Sequence, residues 1–178
     1  MFTLDNLTKL IKRNGLDYAQ INDLMYRNIL LTVFDRLILY LNKHQRLISF
    51  KRKILSCSSI KEEISVYENI LNQITEINMS EVEILQIRTW MNASFTKGNN
   101  RVKLNDSEKK SILEKQDYKC RICPMEINKK TAHFDHIVPF KYVGDELAYN
   151  FQALCVNCSL SKGSNPIEFF TRFLNKKI

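Results

Sequence analysis

Apolar residues recur at helical spacing through Leu24, Phe34, Leu37, Ile38 and Leu41, and from Ile29 to Leu41 they nearly encircle the chain. A helix over 23–43 with that pattern must be buried on most sides. It is either the centre of a bundle or, in part, a face that meets a second copy or another protein. Ser59-x-x-Glu62 and Ser80-x-x-Glu83 follow, each with a hydroxyl three residues before a glutamate. That spacing lets the side chains of a helix's first turn satisfy each other's backbone donors, so it predicts two more helices. The first hundred residues read as a helical bundle.

A polar stretch at 94–100, with a glycine and two asparagines, separates this region from the rest. It divides the chain into a helical unit over 1–98 and a smaller unit over 99–178. In the second unit Asn105 or Asp106 can cap a short helix through Glu114, leading into Cys120 and a knuckle with Pro124. Residues 131–140 read as a strand, followed by a hairpin or loop through Gly144. Residues 150–162 lead into a helix. Asn165, Pro166 and Glu168 have the order of an N-cap, a first helical residue and its box partner, which predicts a closing helix toward Lys176. The fold class is α+β.

Composition adds two constraints. A hydrophobic content of 44% over 178 residues supports one sizeable domain or two small ones and excludes a disordered chain. A net charge of +8 favours a polyanionic partner, although the same charge also serves solubility. Lys43, Arg46, Lys51, Arg52 and Lys53, interleaved with Leu47, Ile48 and Phe50, form either a solvated helix face or an auxiliary phosphate contact. The first residues have no basic-then-apolar order of a secretory signal, and the most apolar run, 29–34, falls far short of the roughly 20 residues a membrane span needs. A cytoplasmic protein without membrane attachment is expected.

The chemistry is concentrated in the second unit. Cys120 and Cys123, and again Cys155 and Cys158, stand two residues apart, so each pair can present two thiolates to one tetrahedral zinc. In a reducing compartment such cysteines are metal ligands rather than disulfides, leaving Cys57 as an unpaired, buried thiol. Between the pairs lie His133, Asp135, His136 and Pro139, then Asn150 and Leu154.

The order Cys-x-x-Cys, Asp-His-Ile-x-Pro, Asn-x-x-x-Leu-Cys-x-x-Cys, Lys-Gly resembles the zinc-clipped HNH endonucleases, over about residues 105–175. The resemblance implies a small module of two strands and a helix held by zinc, with a metal-dependent DNA endonuclease activity of the kind used in restriction, phage defence or mobile elements. It gives Asn150 the role of tying the loop after the first strand and orienting the base histidine. It also makes Lys162 a phosphate contact, and Lys141 and Arg121 are further candidates for the same role. The alternative is a degenerate module that binds nucleic acid or a protein without cutting. A partner, or a second copy of the chain, would dock on the helical unit.

Phosphodiester hydrolysis explains the residue types. Water attacking the phosphorus must lose a proton, and a neutral imidazole suits that task near neutrality, which makes His136 the candidate base. Charge on the phosphate and the leaving 3′-oxygen calls for a divalent cation such as Mg²⁺, with Asp135 as its hard anionic ligand. Adjacent strand residues point to opposite faces, so Asp135 and His136 share a site only if the strand bends or ends there. Strict alternation instead places His133 beside Asp135, as a supporting partner or an additional ligand. Where the family carries Asn or His after the last cysteine, this chain has Ser159, a poorer ligand for the cation.

Overall fold

The structure is a computed structural model and describes residues 18–75, 78–99 and 101–163. Helices α1 (Tyr18–Lys43), α2 (Leu47–Leu55), α3 (Ile60–Thr75) and α4 (Glu81–Thr96) come first. They are followed by α5 (Asp106–Lys115), β1 (His133–His136), the single turn α6 (Phe140–Val143), β2 (Phe151–Leu154) and α7 (Val156–Lys162). Among the described residues the result is a mixed fold of helices with one small antiparallel sheet of two strands. The expected closing helix at 165–176 lies outside the described residues.

Helix α1 starts earlier than its apolar pattern suggested and forms the centre of the bundle. Leu30, Leu31, Val33, Phe34, Leu37, Ile38 and Leu41 are buried on it, against Phe50, Ile54, Ile64, Tyr67 and Leu71 from α2 and α3 and Ile84, Ile87, Trp90 and Met91 from α4. Ile29 and Leu39 remain exposed. The box at Ser80 closes as its spacing requires: its hydroxyl accepts from the Glu83 N–H, and the Glu83 carboxylate accepts from the Ser80 N–H. The first box closes one residue early. Glu62 takes the N–H of Ser58, while its own N–H reaches the Ser59 hydroxyl. Cys57 is half-buried rather than buried, with its thiol on the Lys53 carbonyl.

The basic cluster after α1 is partly engaged within the protein. Arg46 reaches the Tyr40 hydroxyl, and Lys51 donates to the Phe95 carbonyl. Lys43, Arg52 and Lys53 are left on the surface.

The second unit has a small core of its own, built on Leu113, Ile127, Ala153, Leu154 and the cysteines. Asn105 caps α5 in a complete box with Glu108. At the end of that helix, the Gln116 amide donates to the Ala153 carbonyl and accepts from the Ala153 N–H. It thereby covers the free edge of β2.

The expected strand over 131–140 is shorter than its pattern, ending at His136. Its continuation is diverted because Asn150 takes over the hydrogen bonding: the Asn150 carbonyl accepts from the Ile137 N–H, and its side chain bonds both the N–H and the carbonyl of Val138. Pro139 then opens α6 instead of extending the sheet.

This diversion sends the chain back into the helical core. Val138 and Val143 are buried within it, Tyr142 packs edge-on against Phe34, and the Tyr142 hydroxyl donates to Asp35. The helical core therefore takes in residues from both sides of the polar stretch near residue 98. That stretch is itself stitched to α6 and the loop after it, with the Lys97 ammonium on the Lys141 carbonyl and the Gly98 N–H on Glu146. Gly144 sits in that seam at φ +59°, where an added Cβ would come within 3.2 Å of the Gly98 carbonyl oxygen and of the Lys97 Cβ. Gly144→Ala is expected to cost about 1–3 kcal/mol, read as a lower midpoint in denaturant. An unchanged midpoint would show that the seam can open without loss.

Candidate metal centre and catalytic groove

The four cysteines come from two segments, one ahead of β1 and one directly after β2. The knuckle that presents Cys120 and Cys123 is closed by a bridge between Lys119 and Glu126 and by the Cys120 N–H on the Met125 carbonyl. Cys155 follows β2 directly as the N-cap of α7, and Cys158 lies one turn on. All four sulfurs fall within 4.8 Å of one another. Cys123 and Cys155 are 3.7 Å apart. Sulfurs held at about 2.3 Å by a tetrahedral zinc stand about 3.8 Å apart, so the donor set fits that ion in kind, number and spacing.

The electrostatics agree. Hydrogen bonds from Cys123 and Cys158, with the N–H groups of Cys155 and Ile122, hold the Cys120 thiol well below its ordinary range. The hydrogen bond to Cys120 pushes Cys123 up to about 11, and its bonds to Cys120 and Cys123 push Cys158 up as well. Within the cluster the thiolate is therefore favoured at Cys120 and disfavoured at Cys123 and Cys158. Four thiolates at this spacing need a cation among them.

On the far side of the strand's end, His136 is buried, its side chain 11% exposed. Its ring lies 4.4 Å from Phe151, its register partner on β2, and 5.5 Å from Phe140. Nε2 is 2.6 Å from the Asp145 Oδ1. Burial alone would raise the Asp145 carboxyl, but the hydrogen bonds from His136 and the Val102 N–H, with the nearby Arg101 charge, hold it below the ordinary carboxylate range. Asp145 is therefore an anion at neutral pH, fixed through Oδ2 by Val102 at 2.7 Å. Arg101 itself stacks over Phe140. Sequence reading missed Asp145. It stands nine residues beyond His136, and only the turn at α6 brings it back.

Asp135 engages other neighbours. Its Oδ1 accepts from the His136 N–H, and its Oδ2 is 2.7 Å from the Lys162 ammonium, which reaches across from α7. The strand does end at His136, as sharing a site would require, yet the two side chains are held by different elements. Lys162, expected on a phosphate, is a buried ion-pair partner here, its side chain 10% exposed. Arg121, expected in the same role, is paired with Asp23 of α1. Lys141 is exposed, its ammonium over the Tyr142 ring. His133 is exposed at the outer end of β1, opposite Leu154.

Asp145 is taken up by His136 and Val102, which leaves Asp135 as the carboxylate engaged by a cationic side chain; Ser159 lies on α7, three residues before Lys162. Among the described residues, the one cluster of three or more His, Cys, Asp or Glu side chains placed for a metal is the cysteine group. Lys162 shows that Asp135 accepts a positive charge at this point. No helix of the described residues is long and apolar enough to cross a membrane. Comparison with known protein families, with curated proteins and with solved structures finds none that matches this chain.

Proposed function

We propose that the chain is an HNH-type endonuclease that hydrolyses DNA phosphodiester bonds, with His136 as its general base. The observation that carries this reading is the buried His136–Asp145 pair beside Asp135, on a strand end clamped by Asn150. With Asp145 anionic, the proton on Nε2 donates to it, and the lone pair of the imidazole lies on Nδ1. That nitrogen takes a proton from water as the water attacks phosphorus. The P–O3′ bond then breaks and the leaving oxygen takes a proton from solvent water, giving a 5′-phosphate and a 3′-hydroxyl. Asn150 fixes the loop that follows the histidine, consistent with the role the HNH resemblance assigns it.

A divalent cation at Asp135 would supply positive charge for the phosphate and the leaving oxygen. Lys162 would then have to share or vacate that carboxylate. This ion pair, together with Ser159, favours the second reading, a module that binds nucleic acid without cutting. Conversion of supercoiled plasmid to nicked or linear DNA with Mg²⁺, Mn²⁺ or Ni²⁺ separates the two readings. Loss of that conversion in His136→Ala supports the first, and plasmid binding with no conversion under any of the metals supports the second.

Binding itself is expected to be mainly electrostatic, given the charge of +8. Each neutralised phosphate releases counterions, so even two contacts lower affinity about tenfold between 50 and 200 mM salt. A salt-independent dissociation constant would remove nucleic acid as the partner that the charge serves.

A further inference from the structure

Tyr149 is the most exposed large aromatic or apolar side chain among the described residues, at 85%. Its backbone lies at φ +59°, a conformation strained for a bulky residue and free for glycine. Folding alone selects glycine or asparagine at such a turn. An aromatic ring held there against strain and turned to solvent points to contact with something outside the fold. Its position is fixed, because the next residue, Asn150, forms the clamp on Ile137 and Val138.

The Lys115 ammonium lies over the ring, 4.7 Å from its centroid. Tyr149 also borders an open groove of about 380 Å³ between α1, α4 and the loop before β2. Leu30 and Trp90 give this groove an apolar base, while Arg27, Gln86 and Thr89 supply hydrogen-bonding groups. Asp23 borders it too, with its charge taken by Arg27 and Arg121. A second groove, of about 430 Å³, is lined by Tyr149 and by Phe151, whose ring touches His136. The tyrosine is thus a blade between two grooves, one of which reaches the ring that packs on the candidate base.

We infer that Tyr149 is a stacking platform for an unpaired DNA base, which sits in the groove toward Gln86 and Thr89. The substrate that follows is DNA with at least one base free of its duplex partner, in a single strand, a flap or a distorted helix. A nucleobase has a flat apolar face and a hydrogen-bonding rim, and this groove offers a ring for the first and amide, hydroxyl and guanidinium groups for the second. Bases inside an intact duplex are stacked on one another and cannot meet the ring. The inference rests on the reading of the protein as a DNA-acting enzyme.

The test uses full-length, zinc-loaded His136→Ala protein, so that bound strands stay intact. Its probes are a single strand of about 12 nucleotides carrying one 2-aminopurine and the matched duplex. The single strand is expected to bind at least about tenfold more tightly than the duplex, with 2-aminopurine emission quenched by stacking. Adding Tyr149→Gly should weaken single-strand binding on the order of 10- to 100-fold and leave duplex binding unchanged. Glycine relieves the strained backbone, so the thermal midpoint should hold or rise, separating lost stacking from lost folding. Tyr149→Phe should bind like its parent, and Gln86→Trp, which fills the groove, should weaken single-strand binding without touching the tyrosine. Unchanged single-strand affinity in Tyr149→Gly overturns the inference while the DNA-acting reading stands. A parent that binds neither probe overturns both.

Discussion

Cys155→Ser is expected to unfold the segment from α5 to α7 and to abolish stoichiometric zinc. The substitution isolates the metal from the cap. A serine hydroxyl can still accept the Cys158 N–H at the start of α7, as the Cys155 sulfur does, but it cannot serve as a thiolate ligand. The local core is too small to compensate. Leu113 and Leu154 are its two large side chains that are fully buried, each worth about 1.5–3 kcal/mol of burial. A structural zinc contributes apparent free energies of about 10–16 kcal/mol to small modules of this kind. Metal analysis should find about one zinc per chain in the parent and little in the variant, with limited proteolysis cutting the variant within 105–163. A parent free of zinc, or a variant as heat-stable as the parent, would remove the metal from the account of this fold.

What the sequence revealed was local. The box at Ser80 needs only a hydroxyl and a glutamate three residues on, and it forms as the spacing requires; of the two caps open at the start of α5, Asn105 is the one used. The cysteine pairs were legible for the same reason, since a two-residue gap lets one knuckle present two sulfurs. The contacts that depend on distant segments were hidden. Nothing in the pattern around 131–140 showed that Asn150 would end the strand at His136, or that Val138, Tyr142 and Val143 would then join the helical core. Asp145 and the Lys162–Asp135 pair belong to this class, because each depends on a chain reversal that brings residues 9 and 27 positions apart into contact. Net positive charge also gave no sign that Arg121 would pair with Asp23 of α1, where it ties the cysteine knuckle to the bundle.

His136→Ala is expected to lower the plasmid cleavage rate about 10²–10⁴-fold, the usual cost of removing a general base, while zinc content and DNA affinity stay at parental levels. Asp145→Asn makes a finer test. The asparagine oxygen can still accept the Val102 N–H, so the loop keeps its hydrogen bond. Its amide, however, faces Nε2 as a donor, where the parental carboxylate accepted. The imidazole must then present a lone pair at Nε2 and carry its proton on Nδ1, the atom needed to take a proton from water. Cleavage should fall by about 10–10³-fold, in kcat rather than KM, with the thermal midpoint little changed. A structural role for Asp145 would do the reverse, lowering the midpoint and sparing the rate of the protein that remains folded. If His136→Ala cleaves as fast as the parent, the buried pair is not the catalytic base; if the parent itself binds DNA and cleaves under no divalent metal, the protein is a nucleic-acid-binding module whose Asp135 is neutralised by Lys162.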